Sequence, residues 1–286
     1  MKRCDLHIHS THSDGTVPPR ELVQLAKEAG LACIALTDHD TLDGVREAQE
    51  EGRRLGVEVI PGVEISVKFE PGTLHILGYF VDLNSKELAA GLEKVQQARK
   101  ERNPKIIELL RTSGVEITLE EVERESNGGQ IGRPHFARVL IRKGYAKDSK
   151  EAFQKYLSKG ASAYVDKRNL TSQEALDLIN RSGGVASIAH PKQMKLDETP
   201  SQLEAEVKRL KTEGMLGIEA YSSCQSREEA SVYRALAERL GLLVTGGSDF
   251  HGSNKPNIRL GQMGQGAAIP YETVDQMRKI ILDRKL

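Results

Sequence analysis

Two hydrophobic periods alternate along the chain, one of two residues and one of about 3.6, the marks of strand and amphipathic helix. Cys4 to Ile8 reads as a strand, and Pro18-Pro19 then opens a helix with Leu22, Leu25, Ala26 and Ala29 on one face, closed by Gly30. Ala32 to Thr37 is a short buried-type strand, and Thr41 is the expected N-cap of a helix running toward Leu55. Val57 to Val63 and Thr73 to Val81 are further strands. Later, Thr171 and Glu174 form a capping box ahead of Leu178 and Ile179, and Val185 to Ala189 is a strand. Leu203 to Leu210 and Glu228 to Leu240 read as helices, each followed by a strand, Leu216 to Ala220 and Leu242 to Thr245. Strand and helix thus alternate about seven times, the pattern of a parallel α/β sheet or barrel. Between about Leu92 and Tyr164 the strand signal fades. Ile106, Ile107, Leu109 and Leu110, then Pro134 with Ala137, Leu140 and Ile141, then Phe153 to Leu157, mark a helical insertion with a turn at Asn127-Gly128-Gly129.

Composition narrows the partners. Forty-one basic residues balance 41 acidic ones, so the net field draws the chain neither to long duplex nucleic acid nor to an acidic membrane. Cys4, Cys33 and Cys224 are too few and too scattered for a disulfide framework and read as free thiols in a reducing compartment. The N-terminus lacks the apolar run of a secretion signal, and no later segment approaches a membrane span. A cytoplasmic protein with no membrane association and no obligate protein partner is expected.

The histidines are the chemical signal. His7 and His9 stand two apart in a strand, on one face, where a strand end can present two imidazoles to one metal. Asp14 follows, Asp38-His39-Asp40 closes the second strand, Glu64 ends the third, His75 opens the next, His190 closes another, and Asp249 and His251 follow the last. Each has an ordinary explanation alone: a solvated His-x-His, a turn, a helix cap, a surface carboxylate. In parallel α/β architectures, however, strand ends converge on one mouth, where imidazoles and carboxylates without metals would leave uncompensated charge.

Four separated motifs carry a resemblance to the PHP (polymerase and histidinol phosphatase) phosphoesterases. They are Asp5-Leu6-His7-Ile8-His9-Ser10 with Asp14, Thr37-Asp38-His39-Asp40, Gly62-Val63-Glu64 with His75, and Ser248-Asp249-Phe250-His251, with Ala189-His190-Pro191 between the last two. Gly132-Arg133-Pro134-His135, Ala152-Phe153 and Tyr156-Leu157 resemble the subgroup acting on nucleoside 3′,5′-bisphosphates and short RNA 5′ ends. The resemblance implies an α/β fold, a distorted seven-stranded (β/α) TIM-like barrel formed by residues 1–98 and 166–286. Residues 99–165 would be a small helical insertion over the mouth, since they join the strand regions of His75 and His190. It implies two or three divalent ions: His7, His9, Glu64 and Asp249 around the first, Glu64 bridging to a second with His75 and His190, and Asp14, His39 and His251 at a third that binds phosphate. Glu64, Asp249 and His251 would carry catalysis. A donor set of imidazoles and carboxylates without thiolate favours Mn²⁺, with Fe²⁺ or Zn²⁺ as alternatives.

Phosphate esters repel nucleophiles, so clustered ions that neutralise the phosphate and generate hydroxide near neutral pH suit the chemistry. Asp38 and Asp40 would orient a ligating imidazole or, for Asp40 or Thr41, cap a helix. Arg133 and His135, flanking the Pro that starts a helix, are candidates to bind a second phosphate of the substrate. Arg99 and Arg102 read as solvated helix residues. The expected function is hydrolysis of phosphate monoesters of nucleotides, foremost the 3′-phosphate of nucleoside 3′,5′-bisphosphates, with short 5′-phosphorylated oligonucleotides as a second substrate class. Histidinol phosphate hydrolysis and a non-catalytic metal-stabilised PHP module are the competing readings. The first should not need the insertion, and the second should lack ligands.

Overall fold

Strand β1 (Arg3–Ile8) leads to helix α1 (Pro19–Glu28), β2 (Cys33–Leu36), α2 (Val45–Leu55), β3 (Glu58–Val67) and β4 (Leu74–Tyr79). Five helices follow: α3 (Lys86–Thr112), α4 (Leu119–Ser126), α5 (Arg133–Arg142), α6 (Ser149–Ala152), continued by a π-helical turn over Phe153–Leu157, and α7 (Ser172–Arg181). The chain then alternates again through β5 (Val185–Ala189), α8 (Pro200–Thr212), β6 (Gly217–Ser222), α9 (Arg227–Leu240), β7 (Leu243–Gly247), β8 (Ile269–Pro270) and α10 (Glu272–Asp283). This computed structural model describes residues 2–126, 128–166, 170–197, 199–263 and 269–284. The expected turn at Asn127 therefore lies partly outside the described residues. Among those residues, no helix is long and apolar enough to cross a membrane.

Local chemistry sets several boundaries. Thr171 and Glu174 close the expected capping box on α7, and Ser226 with Glu229 closes another on α9, which ends on Gly241 in the left-handed region. Helix α2 starts later than Thr41 suggests. The Thr41 hydroxyl accepts the Asp43 amide instead, closing a tight turn, and Gly44 precedes the first helical residue.

The eight strands form one nearly closed barrel in the order β7-β6-β5-β4-β3-β2-β1-β8. The strands are not all parallel, as the strand–helix alternation suggested. β4 runs antiparallel to both β3 and β5. Residues 68–73 between β3 and β4 are too few for a crossover helix, so the chain must turn back as a hairpin. A further strand, β8, pairs antiparallel with β1; two residues carry no readable period. β7 reaches β1 through the Asp249 amide on His7 O (2.8 Å) and the His9 amide on Phe250 O (2.9 Å). Gly247 permits this approach, since a Cβ there would lie 2.2 Å from His7 Cβ.

Helix α3 runs unbroken across the expected insertion boundary. Leu88 and Leu92 join the barrel's core, whereas Ile106 and Leu110 join a separate cluster with Phe136, Val139, Leu140 and Leu157. The insertion meets the loops after three strands. Arg99 pairs with Asp40, Gln130 N donates to His12 O (2.9 Å), and Arg138 donates to Asn254 Oδ1 (2.6 Å).

Candidate metal centre

The parallel strands β1, β2, β3, β5 and β7 end on one mouth, and β4, running the other way, starts there. This reversal brings His75 to the mouth from the beginning of its strand. The nine side chains singled out from the sequence fall into four overlapping groups whose ligand-type atoms lie within 4.8 Å of one another: His9, Asp14, His39 and His251; His7, Glu64 and His190; His7, His9 and Asp249; His39, Glu64 and His75. The second and fourth groups share Glu64, and the first is larger than expected because His9 joins it.

Glu64 is fully buried, and its two oxygens face different imidazoles. Oε1 lies 2.7 Å from His75 Nδ1 and 2.9 Å from His190 Nε2. Oε2 lies 3.3 Å from His7 Nε2, 3.2 Å from His9 Nε2 and 3.1 Å from His39 Nδ1, yet makes no hydrogen bond. His7 Nε2 and His9 Nε2 also point at each other across 3.1 Å. A buried carboxylate oxygen without a hydrogen bond among the described residues, amid converging ring nitrogens, is the donor arrangement that suits a cation. Six imidazoles, three carboxylates and no thiolate fit divalent ions of intermediate hardness.

Charge is tuned to match. Burial disfavours ionised Asp14, Glu64 and Asp249, but neighbouring groups outweigh it and hold all three well below the usual carboxylate range: the His251 and His39 rings for Asp14, the His39 and His75 rings for Glu64, Lys255 and the His251 ring for Asp249. Burial likewise opposes charge on His7 and His9. The carboxylates of Glu219, Glu64 and Asp249 nevertheless raise His7 well above its ordinary value, and the carboxylates of Asp249 and Glu64 lift His9 to about 9. Burial dominates at His39, which falls to about 3.

Outer contacts turn the right nitrogens inward. Glu219 Oε1 accepts His7 Nδ1–H at 2.9 Å, and Asp249 O accepts His251 Nδ1–H at 2.8 Å, leaving each Nε2 toward the centre. Glu219 Oε2 also takes the His190 amide at 2.6 Å. Glu219 and Lys255, which pairs with Asp249, escaped the sequence reading. The signal for Glu219 was a lone carboxylate inside the apolar run Gly217-Ile218-Glu219-Ala220. Asp5 grips the Ser248 amide (2.8 Å) and the Gly261 amide (2.7 Å), fixing the loops after β7. Asp40, His190 and Asp249 hold left-handed backbone at this mouth (φ 55, 27 and 55°), as Phe80 and Lys195 do outside it (φ 56° each).

Asp38 and Asp40 act through other partners than expected. Asp38 binds Ser10 N (2.7 Å) and Ser13 Oγ (2.6 Å), shaping the loop from His9 to Asp14, with Ser13 Oγ in turn 3.4 Å from His9 Nδ1. Asp40 accepts the Ser66 amide (3.0 Å) and Arg99 Nε (2.9 Å). Arg99 and Arg102 are not solvated, as their helix pattern suggested, but buried, because the middle of α3 is covered by barrel and insertion together. Arg133 is half-buried, donates to Leu157 O (3.2 Å) and lies over the Phe153 and Tyr164 rings. His135 is buried, its Nδ1 caps α5 by accepting the Gly132 amide (2.9 Å), and burial lowers its pKa to about 4.

Comparison with known proteins agrees with this geometry. The chain is 35% identical over 252 residues, 88% of each chain, to a 3′,5′-nucleoside bisphosphate phosphatase of Chromobacterium violaceum. It is 36% identical over 260 residues, 90% of this chain and 88% of the relative, to the 5′-3′ exoribonuclease Rnm of Escherichia coli. An amidohydrolase structure from Chromobacterium violaceum superposes with a TM-score of 0.88 at 32% identity, covering 97% of this chain and 96% of the other. A structure from Bifidobacterium adolescentis, described by a predicted metal-dependent phosphoesterase activity, gives 0.84 at 29% identity over 96% and 95%. Residues 5–213 match the PHP domain, and the chain belongs to the PHP domain family.

Proposed function

We propose that the chain is a divalent-metal-dependent phosphoesterase acting on nucleotides, foremost on the 3′-phosphate of nucleoside 3′,5′-bisphosphates and also on short 5′-phosphorylated oligonucleotides. The observation that carries this reading is Glu64, buried, with one oxygen toward His75 and His190 and the other toward His7, His9 and His39. Such a carboxylate suits a bridge between ions, and the activities named for the relatives are all phosphoester hydrolyses.

His7, His9, Asp14, His39, Glu64, His75, His190, Asp249 and His251 would hold two or three ions, Mn²⁺ before Fe²⁺ or Zn²⁺. Bound ions supply neutralisation of the phosphate and activation of water near neutral pH. The chain's own groups do the rest. Glu219 keeps the His7 Nδ1 proton outward, and Asp249 O does the same for His251, so both rings meet the centre through Nε2. Glu64, Asp249 and His251 surround the reacting phosphate, and Lys255 offsets the charge of Asp249.

Residues 99–165 act as a lid over the barrel of residues 1–98 and 166–286, a reading supported by their contacts to the loops after β1, β2 and β7. From the lid side, Arg133 and His135 face the part of the substrate away from the scissile bond. Unpaired Cys4, Cys33 and Cys224 support a cytoplasmic role.

The test is phosphate release from adenosine 3′,5′-bisphosphate, histidinol phosphate and a short 5′-phosphorylated RNA by Mn²⁺-loaded protein. Preference for the first and third is expected. Selective hydrolysis of histidinol phosphate would overturn the substrate assignment, and inactivity on all three would overturn the enzymatic one.

A further inference from the structure

The candidate ligands are carried in two ways. His7, Glu64 and His75 lie within β1, β3 and β4, whereas Asp14, His39 and His251 lie on the loops after β1, β2 and β7. Sheet pairing holds the first set, but a loop has to be held from elsewhere. Two of these loops are zipped to each other. Thr16 N donates to His251 O (3.2 Å), the Ser253 amide donates to Thr16 Oγ1 (2.8 Å), and Asn254 Nδ2 donates to Asp14 O. Asp14 and His251, far apart in sequence, thereby meet with Oδ1 3.2 Å from Nε2.

The insertion grips the same loops. Arg138 of α5 donates to Asn254 Oδ1 (2.6 Å), Gln130 N donates to His12 O (2.9 Å), and Arg99 pairs with Asp40, the neighbour of His39. The fit is tight at Gly129, where a Cβ would lie 2.1 Å from Thr11 O. Asn254 is the junction. Its amide nitrogen holds the ligand loop and its amide oxygen holds the insertion, so one side chain commits its donor to one part of the molecule and its acceptor to another. Arg138 is in turn anchored within the insertion, through Glu125 O and the Glu125 carboxylate (3.1 Å). A displacement of α5 therefore reaches Asp14 through a single side chain.

We propose that Asn254 and Arg138 are positioning residues that couple docking of the insertion to binding of the ion held by Asp14, His39 and His251, each favouring the other. The proposal rests on the metal-dependent reading above and adds a link between the insertion and one ion site. Outer contacts that fix a ligand typically change metal affinity about 10- to 100-fold. Such coupling is reciprocal, so the ion holds the insertion down by as much as the insertion strengthens the ion. Charge alone predicts the opposite sign at Arg138. Removing a guanidinium one side chain away from a cation site relieves repulsion and tightens the ion, whereas losing the clasp loosens it.

The experiment is a Mn²⁺ titration of the metal-free full chain, with free Mn²⁺ read from its electron paramagnetic resonance signal. Wild type, Asn254→Ala, Arg138→Met and Arg138→Lys are compared, and His39→Ala, which removes a ligand, identifies the binding step that belongs to this site. That step is expected to weaken about tenfold in Asn254→Ala and Arg138→Met while the other steps stay unchanged, and Arg138→Lys should recover part of the loss. Hydrogen exchange gives the reciprocal readout. Saturating Mn²⁺ should slow exchange of the Gln130 amide, which is bonded to His12 O, in wild type and do so less in Asn254→Ala. Tightened binding in Arg138→Met, or an unchanged step in Asn254→Ala, would overturn the proposal. Equal weakening of every step would make both residues general supports of the mouth and overturn it as well. Wild type that binds no Mn²⁺ would overturn the metal-dependent reading itself, and the proposal with it.

Discussion

Glu219→Gln perturbs the metal centre while leaving all nine candidate ligands in place. The Glu219 carboxylate accepts two hydrogen bonds, one from His7 Nδ1–H (2.9 Å) and one from the His190 amide (2.6 Å), and it is fully buried. Glutamine has the same shape but one acceptor oxygen and one donor nitrogen, so one of the two contacts must become donor against donor. The His190 amide cannot give up its proton, and leaving it unpaired would cost roughly 1–3 kcal/mol. The imidazole can adapt by changing tautomer. The glutamine oxygen should therefore stay on His190 and its nitrogen should face His7, which then carries its proton on Nε2, the atom aimed at the centre. Loss of a partner that orients a ligating histidine typically weakens metal binding about 10- to 100-fold, or roughly 1.4–2.7 kcal/mol. Competition with a chelator of known affinity measures this directly, with unfolding of the metal-free protein as a control for the fold. Unchanged affinity in Glu219→Gln would refute the argument that Glu219 sets the His7 tautomer.

Chelation should abolish phosphoester hydrolysis and Mn²⁺ restore it; full activity in protein shown by elemental analysis to be metal-free would sink the metal-dependent reading. His9→Ala and Glu64→Ala should each lose most turnover, Glu64 the more severely, because its two oxygens serve two imidazole sets, and steady-state assays at saturating Mn²⁺ will rank them. Gly247→Ala would put a methyl group 2.2 Å from His7 Cβ and should destabilise the chain by roughly 2–3 kcal/mol, read from the urea midpoint; undiminished stability would contradict the tight approach of β7 to β1. Arg133→Ala should lower kcat/KM for adenosine 3′,5′-bisphosphate by about 10- to 100-fold and leave an aryl phosphate nearly unaffected. An equal loss on the aryl phosphate would show that Arg133 supports the insertion rather than the substrate.

What the sequence made legible, and what it hid, follows from the range of each signal. Alternating periods marked the strands β1 to β7 and the helices between them, because burial of one face is a local property of spacing. The direction of β4 is set instead by the length of residues 68–73, where Pro71-Gly72 lies in a connection too short for a crossover. The shortness of that connection is itself a sequence signal for the hairpin. Spacing also put Arg99 and Arg102 near one face of α3, but periodicity tells which residues share a face, not what covers it. Only contacts from distant parts of the chain, such as that of Asp40 with Arg99, turn that polar face into a buried one. Glu219 was hidden for a related reason, since its partner His7 lies 212 residues away in sequence.

Several residues that break local rules share a setting. Asp40, His190 and Asp249 hold a backbone conformation that side chains disfavour, and Glu64 keeps an oxygen without a hydrogen bond among the described residues, all at one mouth. Each feature costs stability. Elsewhere polar groups are largely satisfied: Asp5 and Asp38 are as deeply buried as Glu64, yet each finds several donors. The chain can therefore satisfy buried carboxylates when nothing else will occupy the space. Strained backbone and an unsatisfied carboxylate oxygen at the mouth follow if cations complete the centre, so metal binding should stabilise the fold, read as a higher melting midpoint in Mn²⁺.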